Sequence, residues 1–195
     1  MAEKANMINI FKKKSSIVNL YEYKDYFSII SVPNHNGIKD YFLEIISYEQ
    51  DASTTIQGEQ NSIAFTDFFS DSDNSYYKDY FLKNVIEKYY DLAVNSLGHT
   101  QYEIQNIWYQ QYEHNDTHDW HTHGGCNYSN VYFLELPSKE VSTEFLNVKT
   151  NTIFRVDNIK EGDLLSFPGH ITHRSPKNMT SDRKTVIVFN SNIFT

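Results

Sequence analysis

The chain has 195 residues and a formal net charge of −8, a length suited to one domain with or without an extension. That charge argues against a general nucleic-acid binder working through a basic surface, and no duplex partner is expected. A hydrophobic content of 39% and an aromatic content of 15% argue against a disordered chain. Cys126 is the single cysteine, which excludes an internal disulfide framework and a multi-cysteine zinc ribbon. No apolar run reaches the roughly 18 residues needed to span a bilayer, and residues 1–14 lack the apolar segment of a signal peptide. A soluble, cytoplasmic setting is therefore the default.

Residues 1–14 end in the basic run Lys12-Lys13-Lys14 and read as a solvated tail. Residues 17–32 mix aromatic and β-branched side chains and hold one or two strands, closed by the turn signal Pro33-Asn34-His35-Asn36-Gly37. Helical spacing puts Ile38, Phe42, Ile45 and Ile46 on one face of residues 38–49. Residues 50–75 are polar loop with one short apolar element over 63–69. The clearest helix covers 75–97, with Tyr77, Phe81, Val85 and the Tyr89/Leu92 pair on one stripe and Gly98 placed to stop it. That stripe reads as core, not as a cofactor box.

Beyond Gly98 the pattern changes to short β-like runs: 102–112, 131–136, 143–148, 152–156, 164–167 and 185–190. Turn signals lie between several of them, at 136–138, 161–163 and 167–169. The expected fold is mainly β with N-terminal helices, an α+β arrangement in which residues 1–99 pack as an extension on a sandwich or barrel formed by 100–195.

Six of the eight histidines fall between His114 and His173. In an extended segment, His121 and His123 point to the same side, and His173 on a distant strand completes a facial set of three. Such a set leaves coordination positions open on iron, zinc, copper or nickel. An isolated pair of this kind is weak evidence, because histidine clusters also occur on plain surfaces. His114, His118 and His170 read as rim, supporting or solvent residues, and His35 and His99 carry no signal. Arg183, ten residues past His173 at the head of an apolar strand, offers a bidentate fork to a carboxylate. Its structural reading is a surface arginine at a strand entry.

Taken in order, WHTHGGCNYSNVYFLELP, GDLLSFPGHITHRSPKN and DRKTVIVFN resemble the catalytic half of 2-oxoglutarate- and Fe(II)-dependent oxygenases. The resemblance is to the prolyl-hydroxylase-like branch and its small bacterial and phage relatives, and it covers about residues 100–195. It implies a double-stranded β-helix, or jelly-roll, core. It implies Fe(II) and 2-oxoglutarate as cofactors, with ascorbate as a candidate reductant. His121 and His173 match the histidine ligands and Arg183 the arginine that pairs with the distal carboxylate of 2-oxoglutarate. Tyr112 matches a tyrosine that helps hold the cosubstrate, and Ser129 would face the same pocket by alternation with Val131 and Phe133.

Two positions depart from the pattern. His123 stands where most such oxygenases carry Asp or Glu, and Phe133 where many carry a tyrosine. The implied reaction hydroxylates a peptide or small-molecule substrate, a prolyl residue being the first candidate, with release of succinate and carbon dioxide. Trp108, Tyr109 and Trp120 either line the substrate mouth or belong to the core. The rivals are a three-histidine cupin-type dioxygenase that does not use 2-oxoglutarate and a jelly-roll binding protein without catalysis. A zinc hydrolase ranks lower, since no general base stands out near the cluster.

Overall fold

A computed structural model describes residues 9–11, 20–22, 24–50, 56–57, 64–69 and 75–195. The strands are β1 (Asn9–Phe11), β2 (Leu20–Glu22), β3 (Ser28–Ser31), β4 (Ile56–Gln57), β5 (Ala64–Thr66), β6 (Gln101–Tyr112), β7 (His118–His121), β8 (Tyr128–Glu135), β9 (Glu144–Asn147), β10 (Thr152–Arg155), β11 (Asp163–Pro168), β12 (His173–Ser175) and β13 (Lys184–Phe194). Helix α1 covers His35–Gln50. Helix α2 (Tyr76–Phe81) continues through a π-helical stretch (Leu82–Tyr90) into α3 (Asp91–Ser96). The region expected as one helix over 75–97 is thus continuous, but its middle is wound more widely than an α-helix. Gly98 follows at φ 84°, the left-handed conformation that ends a helix without a Cβ clash. The basic run at 12–14 lies outside the described residues. The expected tail gives way at β1, which pairs antiparallel with β2.

Beside the β1-β2 pair, two sheets carry the β structure of the described residues. The larger has the order β3-β11-β8-β13-β6-β5-β4 and the smaller β10-β9-β12-β7, and every pairing is antiparallel. From β6 onward the chain passes repeatedly between the sheets, which makes the fold a double-stranded β-helix. The sheets face each other across Phe145 on one side and Trp108, Val131, Phe133, Phe167, Val186 and Val188 on the other. Strand alternation turns the neighbouring residues Tyr109, Tyr132, Leu134, Ile187 and Phe189 outward, where Phe42, Phe81, Val85 and Tyr90 of the helices cover them. This second burial explains why the central strands read as nearly continuous apolar runs.

Phe189 sits between Phe81 and Tyr90, with ring centroids 5.8 and 5.0 Å away, and is fully buried. Phe189→Ala is expected to lower stability by about 3–5 kcal/mol, as read from chemical denaturation. A loss below about 1 kcal/mol would show that this contact between helices and sheet carries little. His35, which carried no signal in the sequence, closes the far edge of the sheet. Its ring nitrogens pair with the Tyr132 hydroxyl at 2.7 Å and with Glu161 at 3.2 Å, and Lys39 joins Glu161 at 2.7 Å.

Candidate metal centre

Strands β7 and β12 are adjacent in the smaller sheet, and His121 lies directly opposite His173. His123 follows the end of β7, where its backbone N–H donates to the Gly169 carbonyl at 2.8 Å. The three side chains converge, with one ring nitrogen from each within 4.8 Å of the others. The His123 and His173 Nε2 atoms are 3.2 Å apart. His121 donates Nδ1–H to the Asp119 carbonyl at 2.7 Å, and His173 donates Nδ1–H to the Ile171 carbonyl at 2.9 Å. Each bond fixes the tautomer and turns the Nε2 lone pair inward, the arrangement that metal-binding histidines use.

The pocket in front of these rings is walled by alternate residues of two long strands: Trp108, Gln110 and Tyr112 from β6, and Lys184, Val186 and Val188 from β13. Tyr112 therefore lines the same pocket as the three histidines. Arg183 does not. Lys184 faces the pocket, and by strand alternation its neighbour Arg183 turns the other way. Arg183 donates from Nε to Glu135 at 2.9 Å, and Thr185, on the same face, also donates to Glu135. Ser129 is buried, its hydroxyl has no hydrogen-bond partner among the described residues, and it is not among the residues lining this pocket. Phe133 is a core residue between the sheets.

The residue that sequence reasoning missed is Lys184. Counting back by twos from the apolar positions Val188 and Val186 would have found it. Its side chain is 2% exposed. Its ammonium donates to Ser175 Oγ at 2.8 Å and lies 4.9 Å from the centre of the Tyr112 ring. Among the described residues no carboxylate is within ion-pair distance of it. Burial pushes its pKa down to about 7, against a weaker opposing pull from Glu144. A buried amine in a pocket wall with no carboxylate partner among the described residues is suited to receive an anion.

The remaining histidines divide clearly. His118 is part of the pocket wall, where its ring stacks on His121 with centroids 4.0 Å apart, the supporting position among the alternatives the sequence left open. His114 is exposed and bonds the Thr180 carbonyl, and His170 is exposed beside Asp25. Of the aromatics proposed for the mouth, Trp108 lines the pocket 5.9 Å from the His123 ring. Tyr109 belongs to the helix-facing core. Trp120 lies under the Arg174 guanidinium, 4.4 Å from its ring centre.

Burial holds the histidines neutral. It is the first cause of the lowered pKa of His118 (to about 3), of His123 (to about 4) and of His121 and His173, and mutual repulsion adds to it at His118, His123 and His173. A proton competes with a metal only below the folded-state pKa. Co(II) affinity is therefore expected to stay nearly level from pH 7.5 down to about 6, where imidazoles of ordinary pKa, about 6.5, would already be losing ligand character. A steep fall across that range in a titration series would contradict the assignment. The same shifts make the metal-free protein lose stability as pH falls below about 6.5, because unfolded imidazoles then take up protons that the folded ones refuse.

This geometry defines a class: a double-stranded β-helix with three converging histidines, a candidate metal site, opening on a pocket with a buried lysine. No protein-family model matches the sequence, and no curated protein matches it. Solved structures do. A prolyl-4-hydroxylase from Pseudomonas putida superposes with a TM-score of 0.58 at 14% identity, over 84% of this chain and 91% of that one. The viral collagen prolyl hydroxylase of Paramecium Bursaria Chlorella virus-1, solved as its 2-oxoglutarate complex, gives 0.56 at 11% identity over 87% and 96%. The non-heme α-ketoglutarate-dependent carbocyclase SnoK from nogalamycin biosynthesis gives 0.66 at 8% identity over 86% and 79%. At these identities the likeness is one of fold. No helix among the described residues is long and apolar enough to cross a membrane.

Proposed function

We propose that the protein is a 2-oxoglutarate- and Fe(II)-dependent dioxygenase, with His121, His123 and His173 as the metal ligands. The observation that supports this most is Lys184, a buried cation facing the same pocket as three oriented imidazoles. The donor set fits the metal, because His121 and His173 are turned inward by bonds to backbone carbonyls. The pocket lining offers a dicarboxylate the three imidazoles' metal for one end and Lys184, with Tyr112 and Ser175 beside it, for the other. In this reading Lys184 takes the place proposed from sequence for Arg183, and Ser129 has no contact with the cosubstrate.

When bound, iron, 2-oxoglutarate and dioxygen together supply the oxidising chemistry, with succinate and carbon dioxide as coproducts. The chain's own part is orientation and exclusion of water. Lys184 neutralises the far carboxylate, and Val131, Val186 and Val188 leave the pocket wall apolar. His123 also borders a wider polar cleft of about 510 Å³, together with Lys24, Tyr26, Tyr128 and His170. That cleft is where the substrate reaches the metal. The substrate is a peptide or a small molecule. A prolyl residue comes first by analogy with two of the neighbours, and the carbocyclase shows that the fold also serves other chemistry. Residues 1–99 act as an extension bracing the catalytic core of 100–195.

The test is anaerobic titration of the protein with Fe(II) and 2-oxoglutarate, followed by admission of oxygen. A weak visible charge-transfer band and subsequent succinate formation are the expected results. One observation favours a second reading, a three-histidine dioxygenase that does not use 2-oxoglutarate: all three ligands are neutral imidazoles, with no carboxylate in the set. Iron binding with neither the band nor succinate would establish that reading. Absence of metal binding would leave a jelly-roll binding protein.

A further inference from the structure

His118 has no assigned task in the reading above, yet it stands in the pocket wall with the ligands and Lys184. A chain of hydrogen bonds fixes its tautomer. The Tyr112 hydroxyl donates to Gln110 Oε1 at 2.8 Å. This leaves the Gln110 amide NH₂ facing His118, with Nε2 3.2 Å from the ring Nδ1. Because an amide nitrogen only donates, Nδ1 is the acceptor and the proton of the neutral ring resides on Nε2. The ring itself is held by stacking on His121 at 4.0 Å, with planes 20° apart. His118 therefore carries its N–H at Nε2, in the pocket wall beside His121, while Lys184 stands elsewhere in the same wall.

We propose that His118 is a further cosubstrate-binding residue, donating its Nε2–H to the carboxylate that 2-oxoglutarate places at the metal end, and that Gln110 and Tyr112 are the positioning residues that hold it in that tautomer. The inference rests on the 2-oxoglutarate reading. It adds to that reading a pocket that grips a dicarboxylate at both ends, by a neutral donor near the metal and a cation at Lys184. A monocarboxylate 2-oxo acid would keep the first contact and lose the second.

The test uses the full chain loaded anaerobically with Mn(II), with 2-oxoglutarate added by calorimetric titration, and ¹⁵N NMR of histidine-labelled, metal-free protein. The NMR spectrum is expected to show His118 protonated at Nε2. In Gln110→Met it is expected to show a mixture of tautomers. His118→Phe keeps an aromatic ring against His121 and removes the donor. It is expected to bind Mn(II) as the wild type does and 2-oxoglutarate about tenfold or more weakly, the loss typical of a hydrogen bond to a charged group. His118→Gln should recover part of that loss. Wild-type affinity for 2-oxoglutarate in His118→Phe, or a proton on Nδ1 in the wild type, would overturn the inference while leaving the dioxygenase reading intact. A wild-type protein that binds Mn(II) but not 2-oxoglutarate would overturn both.

Discussion

Lys184→Ala is expected to weaken 2-oxoglutarate binding by roughly a hundredfold or more, corresponding to about 3 kcal/mol for stranding one partner of a buried ion pair. Metal affinity should be unchanged, because Lys184 is not among the clustered ligands. Arg183→Ala should leave 2-oxoglutarate binding as it is, since that side chain is engaged with Glu135. The pair of variants separates two adjacent cations by one measurement, and a large loss in Arg183→Ala with none in Lys184→Ala would reverse the assignment. The lowered pKa gives the same site a pH signature. With Lys184 near pKa 7, the ligand-free protein is increasingly neutral there above pH 7, and the carboxylate must draw a proton in. Affinity should therefore fall by up to about tenfold per pH unit above 7, with proton uptake visible in calorimetry as a dependence on the buffer's ionisation enthalpy.

The sign for folding is opposite. The unfolded lysine holds its proton up to about pH 10.4, whereas the folded one releases it near 7. Between these values the unfolded chain binds more protons, so stability rises with pH, and below 7 the full cost of burying the charge remains. Lys184→Met should accordingly stabilise the ligand-free protein at neutral pH, by on the order of a few kcal/mol. A binding site that costs stability until it is filled is a common feature of functional pockets.

The second large effect concerns the ligands. His173→Ala is expected to lower metal affinity by more than about a hundredfold, since loss of a ligand exceeds the 10–100-fold typical of a supporting residue. His121→Ala should behave likewise. His123→Asp should not. It converts the set to two histidines and one carboxylate, the common arrangement for non-heme Fe(II), and adds a negative charge against the cation. Fe(II) affinity is expected to hold or rise in that variant, and a collapse would show that the neutral imidazole at 123 is required by the surrounding pocket. Metal titrations of the three variants, with circular dichroism to verify folding, settle the comparison.

Much of this site was legible before any coordinates. The apolar runs over 131–136 and 185–190 marked two central strands, because burial on both faces leaves a nearly unbroken apolar run, and the strand-like pattern over 102–112 marked a third. The spacing of His121 and His123, with His173 far along the chain, pointed to a shared metal. Strands β7 and β12 were hidden, since their residues are chosen for ligation and ion pairing and not for apolar burial. Arg174, within β12, pairs with Glu144, and His118 and His121 of β7 serve the pocket. The sequence reading put Arg183 in the pocket where the structure puts Lys184, and the difference has a definite cause. In a strand a shift of one residue exchanges the two faces, and arginine is the more conspicuous residue for carboxylate recognition. Lys184 carries no local signal beyond its parity with Val186 and Val188. The tautomer relay through Gln110 and Tyr112 joins β6 to the segment after it, and only the fold brings those residues together.

The packing of Trp108 beside His123 has a practical consequence. The chain has two tryptophans. One lies against His123, a proposed metal ligand, and the other, Trp120, is the immediate neighbour of His121. Ultraviolet emission of the unmodified protein thus originates next to the three histidines. A paramagnetic ion entering the site should quench it, giving an optical readout of occupancy that needs no dye, label or engineered probe.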